Sequence, residues 1–154
     1  MGEIAMKCAA CESGTVERRS EDHVIRFDGR RFIGRVTADV CRACGESLVT
    51  LGELARVELE AARTLGDAGL ISSKSFRFMR HALGLTAREL ALDFSVAPET
   101  ISRWENEERP LDRLAWVTLA AMVRDRLEGR ERTRDQLSAM REPARLARAI
   151  RLDT

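Results

Sequence analysis

The sequence predicts an α+β protein, a small β domain at the N-terminus followed by an all-α domain. Three observations predict it. Two Cys-x-x-Cys pairs bracket a segment with a strong hairpin signal, apolar residues recur at helical spacing from residue 51 onward, and Ser/Thr capping signals punctuate that second part. The chain has 154 residues, enough for one domain or two small ones. The expected division is a β domain at 1–50, a connecting helix and linker at 51–71, a compact helical domain at 72–129 and a helical extension at 130–154.

In the β part, Asp28-Gly29 is a hairpin turn signal. Val24 and Arg26 on one side, and Phe32, Arg35 and Val36 on the other, make strands around it, and two or three strands fit between Thr15 and Val40. A unit this small has little core and needs a staple. All four cysteines fall in Cys8-Ala-Ala-Cys11 and Cys41-Arg-Ala-Cys44, with 29 residues between the pairs. Each pair sets two thiolates on one side of a tight turn, and two such turns complete a tetrahedron of sulfurs, the geometry of a structural Zn²⁺ site. The expectation is one structural zinc per chain, held by Cys8, Cys11, Cys41 and Cys44, with Gly14 and Gly45 in turns that aim backbone N–H groups at sulfur. Disulfides, a redox pair and an iron–sulfur cluster are the competing readings. A reducing cytosol disfavours the first, and the redox reading lacks a βαβ context. Four thiolates leave no open coordination position, so a zinc enzyme is not expected. His23 and His81 have no ligand-spaced partner.

The helices follow in order. Thr50-Leu51-Gly52-Glu53 reads as a capping box that opens a helix through Leu54, Val57, Ala61 and Leu65, ended by Gly66 and Gly69. Ser72 or Ser73 caps a helix with the stripe Phe76, Met79, Leu83, stopped by Gly84. Thr86-Ala87-Arg88-Glu89 is a second box, ahead of Leu90, Ala91 and Phe94. After the turn Ser95-Val96-Ala97, Pro98 stands at the first position of a helix that buries Ile101 and Trp104. A loop from Asn106 to Pro110 precedes a longer helix with Leu114, Val117 and Ala121, ending at Gly129. Thr133-Arg134-Asp135-Gln136 reads as a third box, for a helix broken at Pro143. Beyond it Arg145, Arg148 and Arg151 recur at helical spacing opposite Leu146 and Ile150.

Two short helices joined by a three-residue turn fit a helix-turn-helix. With Ile101 and Trp104 inward, Glu99, Ser102, Arg103 and Asn106 fall on the outer face of the second helix, where a recognition helix meets base edges. Arg103 can reach guanine with two hydrogen bonds, and Glu99 can accept from cytosine. Thr100 and Ser102 suit phosphate or base contacts, and the helix start at Thr86 can hold a phosphate. Thr86, Arg88, Pro98, Glu99, Thr100, Ser102, Arg103 and Asn106 are thus the candidate DNA-binding residues. The competing reading is an ordinary helical hairpin with Arg103 paired to Glu99.

Charge limits these readings. There are 26 basic and 25 acidic side chains, so bulk charge does not drive nucleic-acid binding. Residues 72–129 carry nine of each sign, and only 130–154 is net positive. No apolar run approaches the ~20 residues of a membrane helix, and Met1 to Ala10 lacks the pattern of a signal peptide. The expected compartment is the cytoplasm.

The string Leu85-Thr86-x-x-Glu89-Leu90-Ala91…Thr100-Ile101-Ser102-Arg103-Trp104-Glu105-Asn106 resembles the Cro/cI (XRE-type) helix-turn-helix family. Preceded by the two Cys-x-x-Cys pairs, it is similar to the MqsA family of antitoxins with their YgiT-type zinc finger, over roughly residues 6–128. The resemblance implies a zinc-bound N-terminal domain that binds a cognate toxin, commonly an mRNA-cleaving ribonuclease. It implies a C-terminal domain that dimerises, binds palindromic double-stranded operator DNA and represses its own operon. Cys8, Cys11, Cys41 and Cys44 match the zinc ligands, and Arg103 matches a base-reading arginine. Glu99 stands where the best-known member has asparagine, which implies a different operator. Ala87 replaces a common glutamine, Glu107 replaces a common glycine, and 130–154 extends past the usual end. A regulator without a toxin partner and a zinc-domain protein-interaction module are the alternatives.

Overall fold

The computed structural model describes residues 7–12 and 14–153. Its elements in order are β1 (Val16–Phe27), β2 (Arg30–Cys41), β3 (Ser47–Val49), α1 (Leu51–Asp67), α2 (Ser73–Ala82), α3 (Ala87–Phe94), α4 (Pro98–Glu105), α5 (Arg113–Leu127) and α6 (Arg132–Arg141). The fold class is α+β. The chain divides into two compact units, residues 1–64 and 65–154, with the division inside α1.

In the first unit, β1 and β2 pair antiparallel from Phe27↔Arg30 to Val16↔Cys41, and β3 adds to β2 in the order β1-β2-β3. Asp28 and Gly29 take φ of 46° and 76°, the left-handed pair of a type I′ turn, whose twist matches that of the strands it joins. The third strand lies after the second cysteine pair, outside the Thr15–Val40 window expected to hold the strands. One face of β2 is the core: Val36, Ala38 and Val40 are buried, while Ile33, Arg35 and Thr37 alternate outward. Gly34 lies on the buried face because Val57 of α1 occupies the space a Cβ would need.

The expected box at α1 is only half made. Thr50 Oγ1 accepts from the Glu53 N–H at 3.3 Å, but the Glu53 carboxylate turns away from the cap. It accepts from the Thr37 N–H of β2 at 3.0 Å and from Arg56, which also donates to the Arg35 carbonyl at 2.7 Å. Two side chains of α1 therefore satisfy backbone groups on the part of the β2 edge that β3 leaves uncovered. Gly66 does not end α1 either. It lies inside the helix, where an added Cβ would sit 3.2 Å from Ala120, and the chain turns at Gly69, φ 64°.

In the second unit, Phe76, Met79, Leu90, Ile101, Leu119 and Val123 are fully buried, with Trp104 and Trp116 almost so. Phe76 and Trp104 meet edge-to-face at 5.9 Å. Ser72 and Ser75 make a reciprocal cap on α2, and Ser75 is itself fully buried. Its hydroxyl donates to the Leu70 carbonyl and accepts from Trp116 Nε1 at 2.9 Å, tying the start of α2 to α5. Thr86 and Glu89 cap α3 in the same reciprocal way, and Pro98 opens α4 at its first position.

Three expectations fail in this unit. The buried face of α5 is Trp116, Leu119, Met122 and Val123, whereas Leu114 and Val117 are exposed. No Thr133 box forms: α6 begins at Arg132, and the Thr133 N–H donates instead to Asp125 at 2.6 Å. That bond holds the Asp125 carboxyl below its ordinary range. Past Pro143 there is no helix through residue 153, so the Arg145, Arg148 and Arg151 stripe is not a helical face.

Glu107 explains one departure from the family pattern. It has φ 61° just after α4, where the Glu108 N–H returns to the Arg103 carbonyl at 2.9 Å. The backbone keeps the left-handed conformation that suits glycine although the residue is glutamate. Glu107→Gly is expected to stabilise the protein by about 0.5–1 kcal/mol, read as a higher urea midpoint at unchanged slope.

Candidate metal centre and the exposed face of α4

The two Cys-x-x-Cys turns are built alike. Cys8 O accepts from the Glu12 N–H at 2.9 Å, and Cys41 O accepts from the Gly45 N–H at 3.0 Å. The residue after each second cysteine is left-handed, Glu12 at φ 57° and Gly45 at φ 76°. The first sulfur of each pair accepts a backbone N–H two residues on, Ala10 to Cys8 and Ala43 to Cys41, both at 3.4 Å. The second turn closes on Gly45 as expected, and the N–H groups of Cys44 and Glu46 also reach sulfur there. Gly14 acts by lacking a side chain, since a Cβ there would collide with Cys41 Sγ.

These turns bring all four sulfurs within 4.8 Å of one another. Cys8 to Cys44 and Cys11 to Cys41 are each 3.7 Å apart. Sulfurs placed ~2.3 Å from a central ion at tetrahedral angles lie ~3.8 Å apart, so the cluster has the size of a metal cage. A disulfide would need ~2.05 Å. The four cysteines can therefore hold a metal ion, and the donor set suits a thiophilic one. Cys8 and Cys41 are buried, and Cys44 is exposed.

The thiols are tuned by their surroundings. Backbone N–H groups of Cys44 and Ala43 hold the Cys41 thiol below its ordinary value. The Glu46 N–H draws Cys44 down, but the neighbouring sulfurs and burial outweigh it and push that thiol up to about 12. Crowded thiols resist ionising together, while a bound cation requires them all as thiolates, so binding releases protons. Metal affinity is accordingly expected to weaken as pH falls from about 8 to 6, measured by chelator competition.

On the helical unit, Ile101 and Trp104 anchor α4 inward, while Pro98, Glu99, Ser102, Arg103 and Asn106 are exposed and Thr100 is half-buried. Asn106 Nδ2 donates to Ser102 Oγ at 3.2 Å. Thr86 and Arg88 are exposed at the start of α3. There the Glu89 carboxylate already accepts from both the Thr86 N–H at 2.7 Å and the Thr86 hydroxyl at 2.8 Å. These bonds hold Glu89 below the usual carboxylate range. A negative group thus occupies the helix start where a phosphate was expected.

Glu105 has a place in the fold that its sequence neighbourhood does not signal. It reads as one of an acidic group around α4 with Glu99, Glu107 and Glu108. In the structure it turns inward to a buried fork with Arg80: Nε at 2.6 Å and Nη2 at 2.9 Å, with side chains only 8% and 7% exposed. Arg80 Nη1 donates further to the Leu85 carbonyl at 2.7 Å. One guanidinium so joins α2, the entry to α3 and the end of α4. The only sequence signal was an arginine placed beside the stripe of α2.

The family model for the antitoxin component of bacterial toxin–antitoxin systems, MqsA, matches residues 6–128. The chain belongs to the MqsA antitoxin family. No curated protein matches it. The matched residues of this MqsA-family chain include the four-cysteine cluster and α1 to α5, and α6 lies beyond them. The family and the cysteine cluster together support an antitoxin role. Among the described residues no helix is long and apolar enough to cross a membrane.

Proposed function

We propose that this MqsA-family antitoxin is a cytoplasmic, homodimeric, zinc-containing repressor without enzymatic activity. In this reading one structural Zn²⁺ on Cys8, Cys11, Cys41 and Cys44 folds the N-terminal unit, which binds a ribonuclease-type toxin. α3 and α4 form a helix-turn-helix that reads double-stranded operator DNA upstream of the chain's own gene. The observation that carries the DNA reading is the division of α4: Ile101 and Trp104 buried, Glu99, Ser102, Arg103 and Asn106 exposed.

Contacts within this set are unequal. Arg103 supplies the base-reading fork, and Ser102 with Asn106 can add polar contacts. Thr86 contributes less, because Glu89 fills the cap and repels phosphate. Arg88, Pro98, Glu99 and Thr100 remain candidates by position. A dimer would place its two α4 helices on half-sites about 34 Å apart.

Footprinting the full chain on its upstream DNA at low salt tests this reading. Protection of paired half-sites is expected, and its absence overturns the repressor. Arg103→Ala is expected to cost ~1–3 kcal/mol at one base position, seen in gel shifts as lost preference there. The exposed Glu99, Glu107 and Glu108, with the Glu89 cap, favour a second reading in which the protein is a protein-interaction module. Retained toxin capture without sequence-specific DNA binding would select it.

A further inference from the structure

β1 is the outer strand of its sheet, since the order is β1-β2-β3. The two-residue turn makes Phe27↔Arg30 a hydrogen-bonded pair, so odd-numbered residues of β1 bond to β2. The backbone N–H and C=O groups of Arg18, Ser20, Asp22, Val24 and Arg26 then point away from the sheet. Among the described residues none of these groups has a partner. The side chains of α1 that cap backbone groups cap β2, at Arg35 and Thr37, and leave this edge open.

Natural sheets usually blunt such an edge with proline, a bulge or charged side chains. β1 has neither proline nor bulge, and the charges it carries are of both signs, so that they can pair across a second copy as well as repel. Its register with β2 runs unbroken over twelve pairs, and its charges reverse sign across a central serine: Arg18 and Arg19, then Ser20, then Glu21 and Asp22. A second copy laid antiparallel with Ser20 opposite Ser20 sets Arg18 against Asp22 and Arg19 against Glu21, twice each. The outward-facing residues then meet as hydrogen-bonded pairs, as the ladder requires. Neighbouring registers lose this match. A shift one way sets Glu21 against Glu21 and Arg19 against His23, and a shift the other way sets Arg19 against Arg19 and Glu17 against Glu21. A larger shift sets Asp22 against Asp22 and Arg18 against Arg26. The groups are also available. Asp22 has no ion-pair partner among the described residues, and Arg18 is 83% exposed with only a 3.5 Å contact to Asp39. Arg19 pairs with Glu17, and Glu21 accepts from Ser47, both at the surface where such contacts are readily exchanged.

We propose that β1 is a self-complementary edge through which two copies of this chain pair, antiparallel about Ser20, into one six-stranded sheet. The pairing is independent of any dimer made by the helical unit and of DNA binding.

Sedimentation velocity of the full, metal-loaded chain over a concentration series tests it. The wild type is expected to double in mass as concentration rises, from monomer to dimer or, if the helical unit already dimerises, from dimer to tetramer. Ser20→Pro removes the outward N–H together with the hydroxyl that accepts from Arg35 Nε at 3.0 Å, and should abolish the doubling, whereas Ser20→Ala, which loses the hydroxyl alone, should keep it. Arg19→Glu and Glu21→Arg, whose partners across β2 are the uncharged Ala38 and Val36, should each weaken it ~tenfold by opposing like charges, and the double swap should restore it. Retained metal content in each variant shows that the unit is folded. Equal masses for wild type and Ser20→Pro at every concentration would overturn the proposal. So would a folded double swap that fails to restore association, or protection of this edge by a toxin strand alone.

Discussion

Cys41→Ser is expected to abolish metal binding and unfold the N-terminal unit while the helical unit stays native. Cys41 is buried, accepts the Ala43 N–H and lies against the bare backbone of Gly14, so serine's shorter, harder oxygen cannot take its place. The size of the effect follows from what else holds the unit. Its buried apolar side chains are few and small, mainly Val36, Ala38, Val40 and Val57. A core of that scale contributes at most ~3–5 kcal/mol, whereas a structural zinc contributes ~10–16 kcal/mol. Both tryptophans, Trp104 and Trp116, belong to the helical unit. Tryptophan fluorescence should therefore remain native while residues 7–50 become sensitive to protease and metal analysis falls from one ion per chain to none. A chelated wild type should match the variant. A protease-resistant β1–β2 hairpin without metal would show that the sheet folds by itself.

The second large effect is expected at the Arg80–Glu105 pair. Arg80→Met strands the Glu105 carboxylate in the core, and loss of one partner of a buried pair costs ~3–5 kcal/mol. For a unit of this size that lowers the melting temperature by roughly 12 °C or more, measured by calorimetry. Glu105→Gln should be milder, because the amide still accepts one bond from Arg80. Replacing both residues with apolar ones should recover much of the loss. A Tm within a few degrees of wild type in Arg80→Met would mean that Glu105 escapes to solvent. Because Glu105 ends α4, the same variants should also weaken any DNA contact of Arg103 without touching it.

Much of this was legible in the sequence because it is local. Asp28-Gly29 dictates a left-handed turn and hence the strand register. The cysteine spacing dictates two like turns and one cluster. Ser72, Thr86 and Pro98 mark helix starts through bonds or φ values set within three residues. What was not legible depends on residues far apart in the chain. Glu53 follows a cap pattern, yet Thr37, sixteen residues earlier, offers it an unpaired N–H. Thr133 likewise meets Asp125 from the preceding helix. On α5, Leu114 and Val117 are as apolar as the residues actually buried, and helical period alone does not say which side meets the core. Glu105 looked like a surface charge because its partner lies 25 residues away. At the candidate site, the residues exposed on α4 followed from the burial of Ile101 and Trp104. The Glu89 cap was visible as a pattern, but its competition with a phosphate appears only when its carboxylate is placed.

The way α6 is attached has one more consequence. It buries no residue, and its links to the rest of the helical unit are polar: Arg134 to Asp93 at 2.9 Å, Arg141 to the Leu92 carbonyl at 2.9 Å, and Thr133 to Asp125. With almost no hydrophobic free energy behind it, such a helix opens as a small cooperative unit of its own, well below the threshold for global unfolding. Ionic strength shifts the balance only in part, since screening acts on the exposed Arg141 contact more than on the part-buried Arg134–Asp93 pair. Each opening leaves Asp93, only 8% exposed, without its guanidinium, so the open form carries a carboxylate seeking a cation.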